Sequence, residues 1–64
     1  MVKVNGVGKE IAGMTLKDYL AETNYDPARI AVEKNGDILP KSQYGDTVLC
    51  DGDSIEIVSF VGGG

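Results

Sequence analysis

Apolar residues recur along the chain with a period of two at several places and with a helical period at one. Val2-Lys3-Val4-Asn5 alternates apolar and polar, as a half-buried strand does. Asn5-Gly6 follows. A two-residue type I′ hairpin turn needs positive φ at both central positions, and this dipeptide supplies it. Lys9-Glu10-Ile11-Ala12 is expected to return as the second strand. Thr15 then offers a hydroxyl to cap a helix, with Asp18 three residues on in the capping-box position. Leu16, Tyr19 and Leu20 fall at i, i+3 and i+4, which makes one apolar stripe. The helix is expected to end near Thr23-Asn24, because Pro27 blocks continuation and biases Asp26 away from helical backbone.

The second half returns to period two. Residues 29–34 read as the third strand, with Ile30 and Val32 on one face, and Asn35-Gly36 is a second hairpin-type turn. Ile38-Leu39 is a brief extended segment, and Pro40 starts a short turn or 3₁₀ element through Tyr44. Residues 47–50 are expected as a fourth strand and residues 54–60 as a fifth, around the tight turn Asp51-Gly52-Asp53. On the fifth, Ile55 and Ile57 face one way and Glu56, Val58 and Phe60 the other. The predicted class is α+β: a mixed sheet of about four to five strands with one main helix on one face. The core is Val2, Val4, Leu16, Leu20, Ile30, Val32, Ile55 and Ile57. A hairpin, a crossing helix and further strands resemble the β-grasp, or ubiquitin-like, architecture. The expected division is one domain over residues 1–60 and a flexible glycine tail over 61–64.

Composition narrows the chemistry. Sixty-four residues make one domain, and a chain this short buries only about 60% of its unfolded surface, so its stability margin is small. A net charge of −4 without a Lys/Arg cluster argues against nucleic acid and anionic membranes as partners. No apolar run approaches the roughly 20 residues of a membrane span, and a cytoplasmic location is expected. Cys50 is the only cysteine, which fits a reducing compartment. Histidine is absent, which removes the usual general base and the commonest metal ligand. No metal site and no catalytic constellation are expected. Asp46, Asp51 and Asp53 lack the length and closing glutamate of an EF-hand loop. Cys50 reads as a small residue packing at a strand end, and Tyr19 and Tyr44 as packing residues rather than catalytic acids.

The chemistry points to the end of the chain. Val61-Gly62-Gly63-Gly64 follows the last strand. Glycine has no Cβ, so such a segment enters a channel that any side chain would block. Four residues past Phe60 reach about 13 Å when extended. A free carboxylate is a poor acyl donor. Adenylation by ATP gives it AMP as a leaving group, and sulfur then displaces AMP to leave a thiocarboxylate. Taken alone, terminal glycines also fit a frayed end. Their place directly after the expected central strand favours the chemical reading.

Together these segments resemble the thiamin-biosynthesis sulfur carriers of the ThiS family. The resemblance rests on Val4-Asn5-Gly6, residues 15–20, the run from Ile30 to Tyr44, residues 51–58 and the Gly62-Gly63-Gly64 ending. Family members often carry Trp where this chain has Tyr44. The resemblance implies that Gly64 is the adenylate and thiocarboxylate site, with Gly62 and Gly63 providing access. It implies no cofactor bound by the chain itself, ATP and Mg being used by an E1-like adenylating enzyme of the ThiF type. It further implies a cysteine desulfurase or other sulfur donor, and thiazole synthase of the ThiG type. The chain would then be a co-substrate, not an enzyme.

Val58 and Phe60, with Ala31 beside them and Lys3, Glu33 and Glu56 as a rim, suggest a partner-docking patch on the sheet face away from the helix. Three alternatives stay open: a carrier for molybdopterin synthesis, a ubiquitin-like modifier joined through Gly64, and a plain interaction module.

Overall fold

The computed structural model describes residues 1–60. Its elements are β1 (Val2–Val4), β2 (Val7–Lys9), α1 (Leu16–Ala21), a 3₁₀ turn (Pro27–Arg29), β3 (Ile30–Lys34), β4 (Asp37–Leu39), a second 3₁₀ turn (Lys41–Gln43) and β5 (Ser54–Ser59). The sheet order is β2-β1-β5-β3-β4, with β5 parallel to β1 and antiparallel to β3. The last strand in sequence is therefore the central one, as expected.

Both Asn-Gly turns form, with Asn5 and Asn35 at φ 51° and 53° and their glycines at 83° and 88°. A two-residue loop fixes the register: Val4 stands opposite Val7 and Lys34 opposite Asp37. The second strand is thus Val7–Lys9, earlier than the expected residues 9–12, because the turn leaves no slack. The helix also ends sooner than expected, at Ala21. Its last turn tightens, with Glu22 N donating to Tyr19 O and Thr23 N and Oγ1 both to Leu20 O.

Residues 47–50 do not join the sheet. Their only strand-like feature is a single bridge between Val48 and Thr15. The segment instead serves the start of α1. Thr47 O accepts from Leu16 N, Tyr44 O from Lys17 N, and Thr15 Oγ1 from Asp18 N at 3.1 Å. Three helix N–H groups that would otherwise lack partners are satisfied this way. The strand position expected for residues 47–50 is taken by β4, so the order β-β-α-β-β-β holds with a different fourth member.

All eight expected core residues are buried, joined by Tyr19, Tyr44 and Leu49. Burial raises the hydroxyl pKa of both tyrosines, reinforced at Tyr19 by the neighbouring Tyr25 and Glu22, so neither is a ready proton donor. No described helix is long and apolar enough to cross a membrane.

Candidate functional site

The two turn asparagines clamp the central strand. Backbone pairing of β1 with β5 reaches Val4 and Ile55, and Asn5 N still donates to Ile55 O. Beyond that the chain turns away, and the Asn5 side chain takes over. Its Oδ1 accepts from Ile57 N at 2.8 Å and its Nδ2 donates to Ile57 O at 3.2 Å. One carboxamide replaces the next peptide unit of a parallel strand. At the start of β5, Asn35 Oδ1 accepts from Ser54 N and Asn35 N donates to Ser54 O. At its end, Phe60 N donates to Arg29 O at 2.7 Å. The last described strand is therefore held at both ends. The sequence signals both turns but not the clamp, which depends on which strand lies beside them.

The outer face of β3–β5 carries the expected docking residues. Val58 stands directly opposite Ala31, and Phe60 follows on the same side. Val58 and Phe60 are 55% and 53% exposed, while Ala31 is half-buried. Glu33 stands opposite Glu56, and Lys3 faces outward from β1. Ile38 joins this face opposite Glu33 and is 79% exposed. It was not among the expected docking residues. The signal was available, since the Asn35-Gly36 turn fixes Ile38 opposite Glu33. The fold thus gathers Val58, Phe60, Ala31 and Ile38 on one face beside an acidic pair.

The other candidates lie elsewhere. Cys50 precedes β5 and Phe60 follows it, so the strand separates these two by about 20 Å. Cys50 is exposed rather than packed at a strand end, because no strand forms there. Asp51 pairs with the N-terminal ammonium. Asp53 accepts from Cys50 N at 2.9 Å and Asn35 Nδ2 at 3.1 Å, with Lys34 Nζ at 3.9 Å. Among the described residues no three His, Cys, Asp or Glu side chains gather as a metal would need.

Asp53 gives a pH prediction. The Cys50 N–H foremost, then Asn35 and Lys34, hold its pKa below the ordinary 3.8, against an opposing desolvation. The folded state binds this proton more weakly than the unfolded chain does. The stabilisation is therefore fully present above that ordinary value and is lost as pH falls through it towards the folded value. Asp53→Ala is expected to cost about 1–2 kcal/mol at pH 7, read by urea unfolding. The gap between wild type and variant should narrow at pH 3; a gap unchanged between the two pH values would contradict the assignment.

Gly62, Gly63 and Gly64, and the boundary drawn at residue 61, lie outside the described residues. Comparison with known proteins bears on them through the family. Residues 2–64 match the model of the ThiS family. The chain is 46% identical over 50 residues to the sulfur carrier protein ThiS of Bacillus subtilis, covering 78% of this chain and 76% of that one. It is 44% identical over 62 residues to a thiazole synthase of Paramagnetospirillum magneticum, covering 95% of this chain but 19% of that protein. The chain thus spans about a fifth of that relative's length. The crystal structure of the thiamine biosynthesis protein ThiS from Geobacter metallireducens superposes with a TM-score of 0.76 at 28% identity, covering 98% of this chain and 97% of that one.

Proposed function

The chain belongs to the ThiS family of sulfur carrier proteins, and from that premise we propose that its Gly64 carboxylate is the group that carries sulfur for thiazole formation in thiamin biosynthesis. The observation that supports this reading is the family match over residues 2–64, which takes in the glycine ending that follows the central strand β5 in the sequence. On an E1-like ThiF-type enzyme, a Gly64 oxygen attacks the α-phosphorus of Mg-ATP and pyrophosphate leaves. A nucleophile at the oxidation level of hydrosulfide, released from a cysteine desulfurase persulfide by a thiol reductant or supplied by another donor, then attacks the acyl carbon. The bond to AMP breaks and the thiocarboxylate remains. Thiazole synthase takes the sulfur from it. The chain is a co-substrate: its own residues supply a recognisable body and a slim reactive end, and the partners supply the catalysis.

Intact-mass measurement after incubation with a ThiF-type enzyme, Mg-ATP and a sulfur donor tests this. A gain equal to replacing one oxygen by sulfur is expected. Conjugation to lysines would instead make the chain a modifier, and no change in a competent system would reject the reading.

The outer-face patch provides docking. An apolar anchor at an interface centre contributes about 1–3 kcal/mol. Phe60→Glu should therefore weaken association with the adenylating enzyme by at least about tenfold, while thermal unfolding stays close to wild type. Unaltered binding would exclude this face.

A further inference from the structure

A second surface lies on the helix side of the sheet. It is a groove of about 370 Å³ between α1, the 3₁₀ turn at Pro27 and the residues after β4. Its volume falls in the range of sites that hold a ligand or a few side chains of a partner. Its polar lining residues are two lysines, Lys17 and Lys41, and two hydroxyl residues able to donate, Ser42 and Tyr44, against one carboxylate residue, Asp46. Neither lysine has an ion-pair partner among the described residues, whereas Arg29 pairs with Asp26 and Lys34 with Asp53. The Lys17 stem passes over Gly45, where an added Cβ would lie 3.6 Å from Lys17 Cδ.

Tyr44 supplies an independent pointer. The residue is 5% exposed, and its hydroxyl has no hydrogen-bond partner among the described residues. No buried side-chain oxygen or nitrogen there lacks a partner, so this hydroxyl reaches the surface, and the groove is the opening its residue lines. Burial raises its pKa above the ordinary 10.0, so it carries its proton and can donate. The floor beside these donors is apolar, formed by Leu20 and Pro27. Pro27 opens the turn whose Arg29 carbonyl holds Phe60 N, so one turn contributes to the groove and also holds the last described residue.

We propose that this groove receives an acidic, apolar-flanked segment of the adenylating enzyme, with a carboxylate on Lys17, Lys41 and Tyr44 and an apolar side chain over Leu20 and Pro27. The occupant follows from charge complementarity: two lysines and two hydroxyl residues line the groove against one carboxylate, in a chain whose net charge is −4. The overall field repels an acidic partner, so its recognition depends on this local reversal of sign. The enzyme would then grip the domain from both sides, by the outer face through Val58 and Phe60 and by the helix side through the groove.

The identity of the partner rests on the sulfur-carrier reading; the groove's preference for carboxylate does not. The first measurement is ATP–pyrophosphate exchange by the adenylating enzyme with the full chain as varied substrate. The double variant Lys17→Glu/Lys41→Glu is expected to raise KM at least about tenfold with kcat unchanged, and Tyr44→Phe, which keeps the buried ring, about threefold. Lys9→Glu makes half that change of charge away from both surfaces and should stay within about twofold. The effect should shrink between about 0.05 M and 0.5 M salt. A double-variant KM within twofold of wild type, or a loss in kcat alone, overturns the proposal. If wild type supports no exchange with a competent enzyme, the sulfur-carrier reading fails instead. The groove is then judged by NMR titration of the full chain with a capped tetrapeptide alternating leucine with aspartate and glutamate. Amide shifts at Lys17, Ser42 and Tyr44 that vanish with the asparagine and glutamine peptide support it. No shifts, or equal shifts from both peptides, overturn it.

Discussion

Deletion of Gly64 is expected to abolish sulfur loading while leaving the fold untouched. The reacting group must sit at the α-phosphorus of ATP and then face a sulfur nucleophile, both inside a partner. Removing one residue shortens the reach by about 3.3 Å. A misplacement of about 1 Å already costs roughly 100-fold in a positioned reaction. Adenylate formation should therefore fall by at least about 100-fold, read by pyrophosphate exchange, and the thiocarboxylate mass should disappear. Thermal unfolding should not move, since the core and the eight segments of regular structure among the described residues lie before residue 60. Gly63→Val tests clearance separately from reach: length is kept, a branched side chain is added, and a loss of similar size is expected. Gly62→Ser, further from the reacting atom, should be milder. Activation of the truncated chain at the wild-type rate would reject Gly64 as the reacting group.

How much of this was legible in the sequence depended on how local each signal is. The Asn5-Gly6 and Asn35-Gly36 turns and the Thr15 cap are set by a few adjacent residues, and all three form as read. The strand faces followed from alternation, so Val58 and Phe60 were placed correctly on the outer face. The errors came where a segment's partner is distant. Thr47-Val48-Leu49-Cys50 has the β-branched, apolar composition of a strand. Yet β5 is already flanked by β1 and β3, and the segment's backbone groups go to Gly13, Met14 and Leu16 instead. Composition states what a segment prefers; only the fold states which neighbours remain unpaired. The clamp by Asn5 and the groove at Lys17 and Lys41 escaped for the same reason, because each joins residues from separate parts of the chain.

Leu49 shows the consequence for stability. It lies outside every strand and helix, yet it is fully buried and belongs to the single core. Its backbone is fixed on both sides: Leu49 N donates to Met14 O at 2.8 Å and Leu49 O accepts from Gly13 N at 2.7 Å. The side chain is thus held against the core by a segment that contributes no sheet ladder. Leu→Ala at a fully buried site costs about 2–5 kcal/mol, the upper values where the surroundings cannot collapse into the space. The two bonds to Gly13 and Met14 restrain collapse, so a cost of about 3–4 kcal/mol is expected. A core this small rarely supplies more than about 3–5 kcal/mol in total. Leu49→Ala should therefore leave the chain largely unfolded at 37 °C, seen as loss of dispersion in a proton–nitrogen NMR spectrum. Val48→Ala, at a neighbouring residue that is 49% exposed, should cost less than about 1 kcal/mol. If the two variants unfolded at the same urea concentration, the segment would be a surface cover and not part of the core. If Leu49→Ala alone is lost, the loop is a structural wall of the domain. It then also braces the start of α1, because the same segment supplies the Thr47 carbonyl that accepts from Leu16 N.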